Sequence, residues 1–434
     1  MQHLSTIGLL VGVLIVGILA LIGILDAVRD TPVSRVRAPA RTATDTVPPA
    51  VGEPLFRETV ELLSRATLAH GHEVEIFASG DETYPRLWED LRSARQCITM
   101  QMYYCNAGRM ADMLAEILCE RARAGVRVFF LYDAFGTSLK KKYMATLRAA
   151  GVTTSSFRPF SIPSMHKVHH RAHIRVVVVD GVVGYTGGFG IDDKWFGSGR
   201  KKNEWRDTNA RFTGPAVRQL QATFAACWAE ATGELLTGPL LFPESVPGNG
   251  KGVLAGVLHA SPSVGSTEAE RLVALSIAGA RRTLYITNSY FVPDGDVRGM
   301  IAHAARRGVD TRVLTAGPET DVKSTLYAGR ARYEELLEAG VRIYEYEPTM
   351  MHAKTMVVDG GWATVGSMNA DNRSLSFNEE SNLLALDSGV AAKLETLFQE
   401  DLRHSREIVL EEFRRRSWAT RVIEHAAHAV WRVL

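Results

Sequence analysis

Two stretches of the chain share one pattern of residue types: "HIRVVVVDG" at His173–Gly181 and "HAKTMVVDG" at His352–Gly360. Each reads histidine, any residue, a cation, four mostly apolar residues, then Asp-Gly. In an extended strand, side chains alternate between faces, so His173 and Arg175 point the same way. The run of valines that follows marks a strand buried on both sides. A histidine and a cation projecting from the end of such a strand are costly to desolvate unless a ligand or partner meets them. Two such strands brought to one cleft would supply two imidazoles and two cations. That set suits phosphoryl transfer through a histidine nucleophile: one imidazole attacks phosphorus while the other moves the proton. The cations hold the non-bridging oxygens as charge builds on them. Asp180 and Asp359 close the two motifs at or past the strand ends and are expected to brace them. One match of this kind is weak; its recurrence in matching places of a longer repeat carries the argument.

The repeat extends well beyond the motif. "LRSARQCITMQMYY" (Leu91–Tyr104) parallels "SIAGARRTLYITNSYF" (Ser276–Phe291), a helix end running into a strand. "RARAGVRVFFLYD" (Arg121–Asp133) parallels "AARRGVDTRVLTAG" (Ala304–Gly317), each a helix closing at glycine before a buried strand. "LRAAGV" before Thr153 parallels "LLEAGVRIYEY" (Leu336–Tyr346), and the motifs are followed by "VGYTGGFG" and "ATVGSMN". This alternation predicts an α/β fold of two pseudo-symmetric halves, each a mostly parallel or mixed sheet flanked by helices. The first half is expected over 55–235 and the second over 256–410. The Pro- and Gly-rich 236–255 joins them.

The flanks differ. Ile7–Leu25 is free of charge and long enough as a helix to reach across a bilayer core. No Lys or Arg precedes it and no small-x-small site directly follows it, so residues 1–30 are read as a retained transmembrane anchor rather than a cleaved signal. Arg29, Arg35, Arg37 and Arg41 follow, which predicts a single-pass cell-membrane protein with its catalytic body on the cytoplasmic side. Residues 31–54 read as a flexible Pro/Ala/Arg-rich linker. Residues 411–434 form a basic amphipathic segment with Trp418, Val422 and Ala426 at helical spacing; it suits either an anionic lipid interface or a helix docked on the body.

A formal net charge of +2 and the lack of a basic stripe with interleaved aromatics argue against nucleic acid as partner. Cys97, Cys105, Cys119 and Cys227 show no pairing pattern and read as small buried hydrophobes. "HKVHHRAH" (His166–His173) is rich in histidine, but it leads into a buried strand and has no counterpart in the second half. Neither a metal nor a cofactor is expected.

Further strings carry a family resemblance: "LYDAFGT" (Leu131–Thr137), "WRDTNARFTGPAV" (Trp205–Val217), "CWAEATGE" (Cys227–Glu234), "NSYFVPD" (Asn288–Asp294), "RYEELLEAGVRIYEY" (Arg332–Tyr346) and "GSMNADNRSLSFNEESN" (Gly366–Asn382). From about Glu53 to Arg406 the sequence resembles the phospholipase D superfamily and, within it, the cardiolipin synthase-like branch. The resemblance implies one active site between two halves related by a pseudo-twofold axis. It makes His173 and His352 the catalytic pair, with His173 favoured as nucleophile and His352 as general acid and base, an assignment that symmetry leaves reversible. It assigns the phosphoryl oxygens to Arg175 and Lys354, further contacts there to Gly188, Ser367 and Asn369, and the orienting of one histidine each to Asp207 and Glu380. It implies a membrane-anchored phosphatidyltransferase that uses phosphatidylglycerol and a phosphohistidine intermediate. The alternatives are a hydrolase releasing phosphatidic acid and a lipid-binding homologue without catalysis. Two positions depart from the family pattern: Arg175 stands where lysine is usual and Gly190 where asparagine is usual, which removes a donor from the first half.

Overall fold

The computed structural model describes residues 17, 33–39, 47–159, 170–244, 251–263 and 265–431. Among the described residues sixteen strands run in chain order: β1 (Ala69–His72), β2 (Val74–Phe77), β3 (Cys97–Met102), β4 (Arg127–Asp133), β5 (Thr153–Phe157), β6 (Arg175–Val179), β7 (Val183–Gly187), β8 (Asn209–Thr213), β9 (Val253–Ala260), β10 (Thr283–Asn288), β11 (Asp310–Ala316), β12 (Arg342–Tyr346), β13 (Lys354–Val358), β14 (Trp362–Gly366), β15 (Glu380–Leu386) and β16 (Ser405–Glu407). They form a seven-stranded sheet, β2-β8-β7-β6-β3-β4-β5, and a nine-stranded sheet, β1-β9-β15-β14-β13-β10-β11-β12-β16. Without its edge strands β1 and β16, the second order repeats the first strand for strand. Both sheets are mixed: β3, β4 and β5 run parallel, as do β10, β11 and β12, while β6 and β13 each lie antiparallel to the first strand of their trio. The α/β architecture read from the sequence is the one observed.

The segment Pro54–His72 precedes the first sheet in sequence but packs with the second. Its helix, Pro54–Ser64, opens with proline in the first turn, where a missing N–H costs nothing. That helix buries Phe56 edge-on against Trp362, and β1 pairs with β9.

The four valines of the first motif divide between two cores, as burial on both faces requires. Val177 and Val179 pack toward the helices Gly80–Ser93 and Arg109–Arg123. Val176 and Val178 face the other way, toward the helix Ala216–Thr232, in a core shared with Val257, Val357, Val365 and Leu383 of the second sheet. The motif strands are thus central in their sheets, and across the interface of the halves it is β7 and β8 that meet β14 and β15.

The Asp-Gly that ends each motif is a tight hairpin turn. Asp180 and Gly181 have φ of 53° and 67°, and Asp359 and Gly360 have 54° and 65°. Val182 N–H and Gly361 N–H close the turns on the Val179 and Val358 carbonyls at 3.0 and 3.1 Å. Two successive positive φ angles define the turn whose twist matches its flanking strands, which is why Asp-Gly is favoured there.

Among the described residues no helix is long and apolar enough to cross a membrane. The anchor expected over residues 1–30 lies, apart from Gly17, outside them, as do residues 31, 32 and 40–46 of the linker expected over 31–54. At the other end, the helix Trp418–Trp431 docks on the body against Lys323–Arg330, burying Glu424 and His428. Its outer face leaves Trp418, Val422 and Ile423 exposed.

Candidate active site

Both motif histidines lie at the junction of the two sheets, and single backbone bridges put them there. Ala172, just before His173, pairs with Glu379, just before Glu380. Met351, just before His352, pairs with Arg206, just before Asp207. The second bridge is closed by Arg206 N–H on the Met350 carbonyl at 2.9 Å and His352 N–H on the Arg206 carbonyl at 2.6 Å. Each histidine therefore faces a carboxylate from the opposite half. His173 Nδ1 sits 3.0 and 3.2 Å from the two oxygens of Glu380, and His352 Nδ1 sits 2.7 Å from Asp207 Oδ2. All four residues are buried. A carboxylate at Nδ1 holds the proton there and leaves the Nε2 lone pair free to react.

The cations fold back toward their own histidines. Arg175 donates from Nη1 to the His173 carbonyl at 2.6 Å and from Nε to the Phe189 carbonyl at 3.2 Å. Lys354 donates from Nζ to the His352 carbonyl and to Ser289 Oγ, the latter at 2.6 Å. Each motif thus carries a buried positive charge two residues from its imidazole.

The electrostatics follow from burial plus these charges. Burial, with Arg175 and Lys354 nearby and His352 itself adding to them, pushes His173 well below the usual imidazole range. Burial and the Lys354 ammonium push His352 down to about 3. Burial, with Arg175 opposing the charge, lowers Lys354 to about 7. The two carboxylates diverge. Burial raises Glu380 to about 8. Burial also pushes Asp207 up, but His352, Lys354 and the Trp195 N–H together hold it below the ordinary carboxylate range. So Asp207 is a charged partner at neutral pH, and Glu380 is poised to hold a proton.

The remaining expected residues are placed as follows. Ser367 donates its hydroxyl to Glu380 and so supports the dyad of His173. Asn369 is buried beside Lys354 on a cavity of about 30 Å³, with its Oδ1 unpartnered. Gly188 was expected to contact phosphate, but its N–H is committed to Asn209 Oδ1 at 3.1 Å. Its contribution is space, since a Cβ there would lie 2.3 Å from Asp207 Oδ1. Asp180 and Asp359 stand at the far ends of the motif strands from the histidines and do not join the site. Each accepts three backbone N–H groups, from residues 95, 96 and 97 and from 281, 282 and 283 respectively. They brace the motif strand against the start of the neighbouring one. His166 and His169 of the histidine-rich stretch lie outside the described residues, and His170 bonds the Phe377 carbonyl at 3.0 Å.

The departure at Gly190 has a physical cause. A Cβ there would lie 2.9 Å from the Trp195 ring, so the indole occupies the room a side chain at 190 would need. Trp195 also donates from Nε1 to Asp207 Oδ2 at 2.8 Å. An indole N–H thus supports the Asp207 carboxylate from the space a side chain at 190 would fill. Sequence reasoning missed Trp195, and no spacing rule links it to Gly190. It also missed Ser289, although that residue lies within the quoted string "NSYFVPD". Tyr103 packs edge-on against His173, and Trp195, Trp205 and Tyr290 surround His352.

Comparison with known proteins shows the family. Residues 274–402 match a family model described as "Cardiolipin synthase, PLD-like domain". A cardiolipin synthase of Geobacillus kaustophilus is 37% identical over 355 residues, covering 81% of this chain and 70% of the relative. The chain belongs to the cardiolipin synthase family. It is thereby an enzyme of the phosphatidyltransferase type within the phospholipase D superfamily. Cardiolipin synthase A of Pseudomonas putida is 33% identical over 353 residues, covering 81% of this chain and 72% of that one. Among solved structures, the phosphatidylserine synthase of Haemophilus influenzae superposes with a TM-score of 0.65 at 15% identity, covering 88% of this chain and 100% of that chain. The polyphosphate kinase of Porphyromonas gingivalis gives 0.53 at 11% identity, covering 83% of this chain and 53% of that one. At these identities the structural likeness speaks for the fold alone.

Proposed function

We propose that the chain is a membrane-anchored cardiolipin synthase that transfers a phosphatidyl group through a phosphohistidine to the hydroxyl of phosphatidylglycerol. The observation that carries this reading is the crossed pair of dyads, His173–Glu380 and His352–Asp207, flanked by Arg175 and Lys354. In the first step His173 Nε2 attacks phosphorus of one phosphatidylglycerol. The bond from phosphorus to the headgroup oxygen breaks, and protonated His352 gives its proton to the departing glycerol. In the second step a hydroxyl of another phosphatidylglycerol gives its proton to His352. Its oxygen takes the phosphorus, the P–N bond breaks, and cardiolipin forms. The phosphodiester's own charge, between two cations, offsets the repulsion that holds the free histidines low.

The unequal carboxylates favour this division of labour. An ionised Asp207 stabilises the imidazolium that a proton carrier must become. A proton-holding Glu380 keeps His173 neutral, the form that attacks. The apolar segment Ile7–Leu25 would hold the body beside the leaflet that contains both lipids.

The test is a lipid assay on the full chain with phosphatidylglycerol alone. Cardiolipin plus glycerol is expected, with His173→Ala and His352→Ala each lowering the rate by about four orders of magnitude, as removal of a nucleophile or its partner does. Phosphatidic acid without cardiolipin would make the chain a hydrolase. No product would leave a lipid-binding role.

A further inference from the structure

We propose that Cys227, His259 and Glu379 form a binding site for a divalent cation of the zinc class, which would staple the two halves together. The three residues are far apart in sequence. Cys227 lies on the helix Ala216–Thr232 of the first half, His259 on β9, and Glu379 immediately before β15 of the second. One ligand atom from each lies within 4.8 Å of the other two. A tetrahedral zinc ion with bonds of about 2.0 Å to nitrogen or oxygen and about 2.3 Å to sulfur needs ligand atoms about 3.3–3.5 Å apart. His259 Nε2 and Glu379 Oε2 already stand 3.1 Å apart, and the sulfur, within 4.8 Å of both, would close toward them. Ser261 Oγ donates to the same carboxylate oxygen at 2.6 Å, and it or a water could take the fourth position.

The charges balance. A thiolate and a carboxylate neutralise a dication, so the loaded site would bury no net charge. Arg158 is the apparent obstacle, since its Nη2 lies 3.0 Å from Glu379 Oε1. However, Arg158 also grips both oxygens of Glu230, through Nε and Nη2 at 2.8 Å each, and keeps that carboxylate if Glu379 turns to a metal. A separate observation points to an anion at the sulfur. Gln101 is fully buried beside the Cys227 thiol, with both of its amide atoms otherwise unpartnered. A thiol accepts hydrogen bonds weakly, whereas a metal-bound thiolate would accept from the Gln101 amide.

The site also lies next to the chemistry without taking part in it. Glu379 N–H bonds the Arg171 carbonyl at 2.9 Å, and the following residue is Glu380, the partner of His173. A bound ion would fix this junction strand in place.

Cobalt(II) and zinc ions, added to the reduced full-length chain in detergent, are the probes. One equivalent of cobalt is expected to produce a near-ultraviolet thiolate-to-cobalt charge-transfer band that zinc abolishes by displacement. Zinc should also raise the melting temperature. Cys227→Ser should lose the band, and His259→Ala, at a partly exposed position that folding tolerates, should weaken cobalt binding at least about tenfold. The proposal is overturned if the native chain gives no charge-transfer band, leaving the cluster an ion-pair network held by Arg158. It is equally overturned if the band survives both substitutions, which would assign it to another cysteine.

Discussion

The two motifs are built alike in backbone and unlike in side chains, and the difference separates scaffold from chemistry. In both, Asp-Gly forms the same turn, the aspartate accepts three N–H groups from the neighbouring chain, and the cation donates to its own histidine's carbonyl. Around the imidazoles the likeness ends. His173 has Glu380 supported by Ser367, next to the permanently charged Arg175. His352 has Asp207 supported by the Trp195 indole, next to a lysine whose charge burial has made negotiable. The repeat supplies symmetry of position, and substitution within it has divided the roles.

The largest effects should come from the crossed carboxylates. Glu380→Gln and Asp207→Asn should each lower cardiolipin synthesis about a hundredfold, since each replaces the group that fixes its histidine's tautomer with an amide free to turn its NH2 toward Nδ1. The crossing itself has a spectroscopic signature. In the labelled full chain, Asp207→Asn should shift the imidazole nitrogen signals of His352 and leave those of His173 in place, and Glu380→Gln should do the converse. A shift in the histidine of the same half would break the comparison.

Next comes pH. Lys354 must be charged to hold phosphate, and in the free enzyme burial sets it at about 7. The specificity constant for phosphatidylglycerol should therefore fall about tenfold per pH unit above that midpoint, because this quantity reports the free enzyme. In Lys354→Arg that alkaline limb should disappear, whatever the new plateau. Stability should move the other way. Between about 7 in the folded chain and about 10.4 unfolded, only the unfolded lysine holds its proton, so this residue adds stability as pH rises. An alkaline limb unchanged in Lys354→Arg would assign it to another group.

The smallest effect concerns Gly190. Restoring the family's asparagine by Gly190→Asn should lower stability by about 1–3 kcal/mol, because the new side chain must displace the Trp195 ring. Thermal melting measures this. An unchanged or raised melting temperature would mean that Trp195 does not fill that space.

Much of this was legible in the sequence because it depends on local pattern. The repeat, the motif strands and the buried valines follow from period-two alternation and from glycine at helix ends, and the strand orders of the two sheets agree with them. The crossing was not legible. Glu380 is 207 residues from His173, and Asp207 is 145 from His352, so spacing along the chain assigns neither. Trp195 escaped for the same reason, since only packing connects it to Gly190. Gly188 was misread because a glycine's backbone N–H is available to phosphate only if no neighbour takes it, and Asn209 does. The amphipathic C-terminal segment left two readings open. The body takes its Glu424 and His428 face, and Trp418 stays exposed on the other.

The central claim is that two imidazoles from different halves serve one phosphorus atom. It is tested most directly by quenching the working enzyme with labelled phosphatidylglycerol and mapping the phosphatidyl-histidine by mass spectrometry. The account predicts at most one label per chain, on His173, and none in His173→Ala. Two labels per chain, one on each motif histidine, would contradict it, because each half would then be a site of its own.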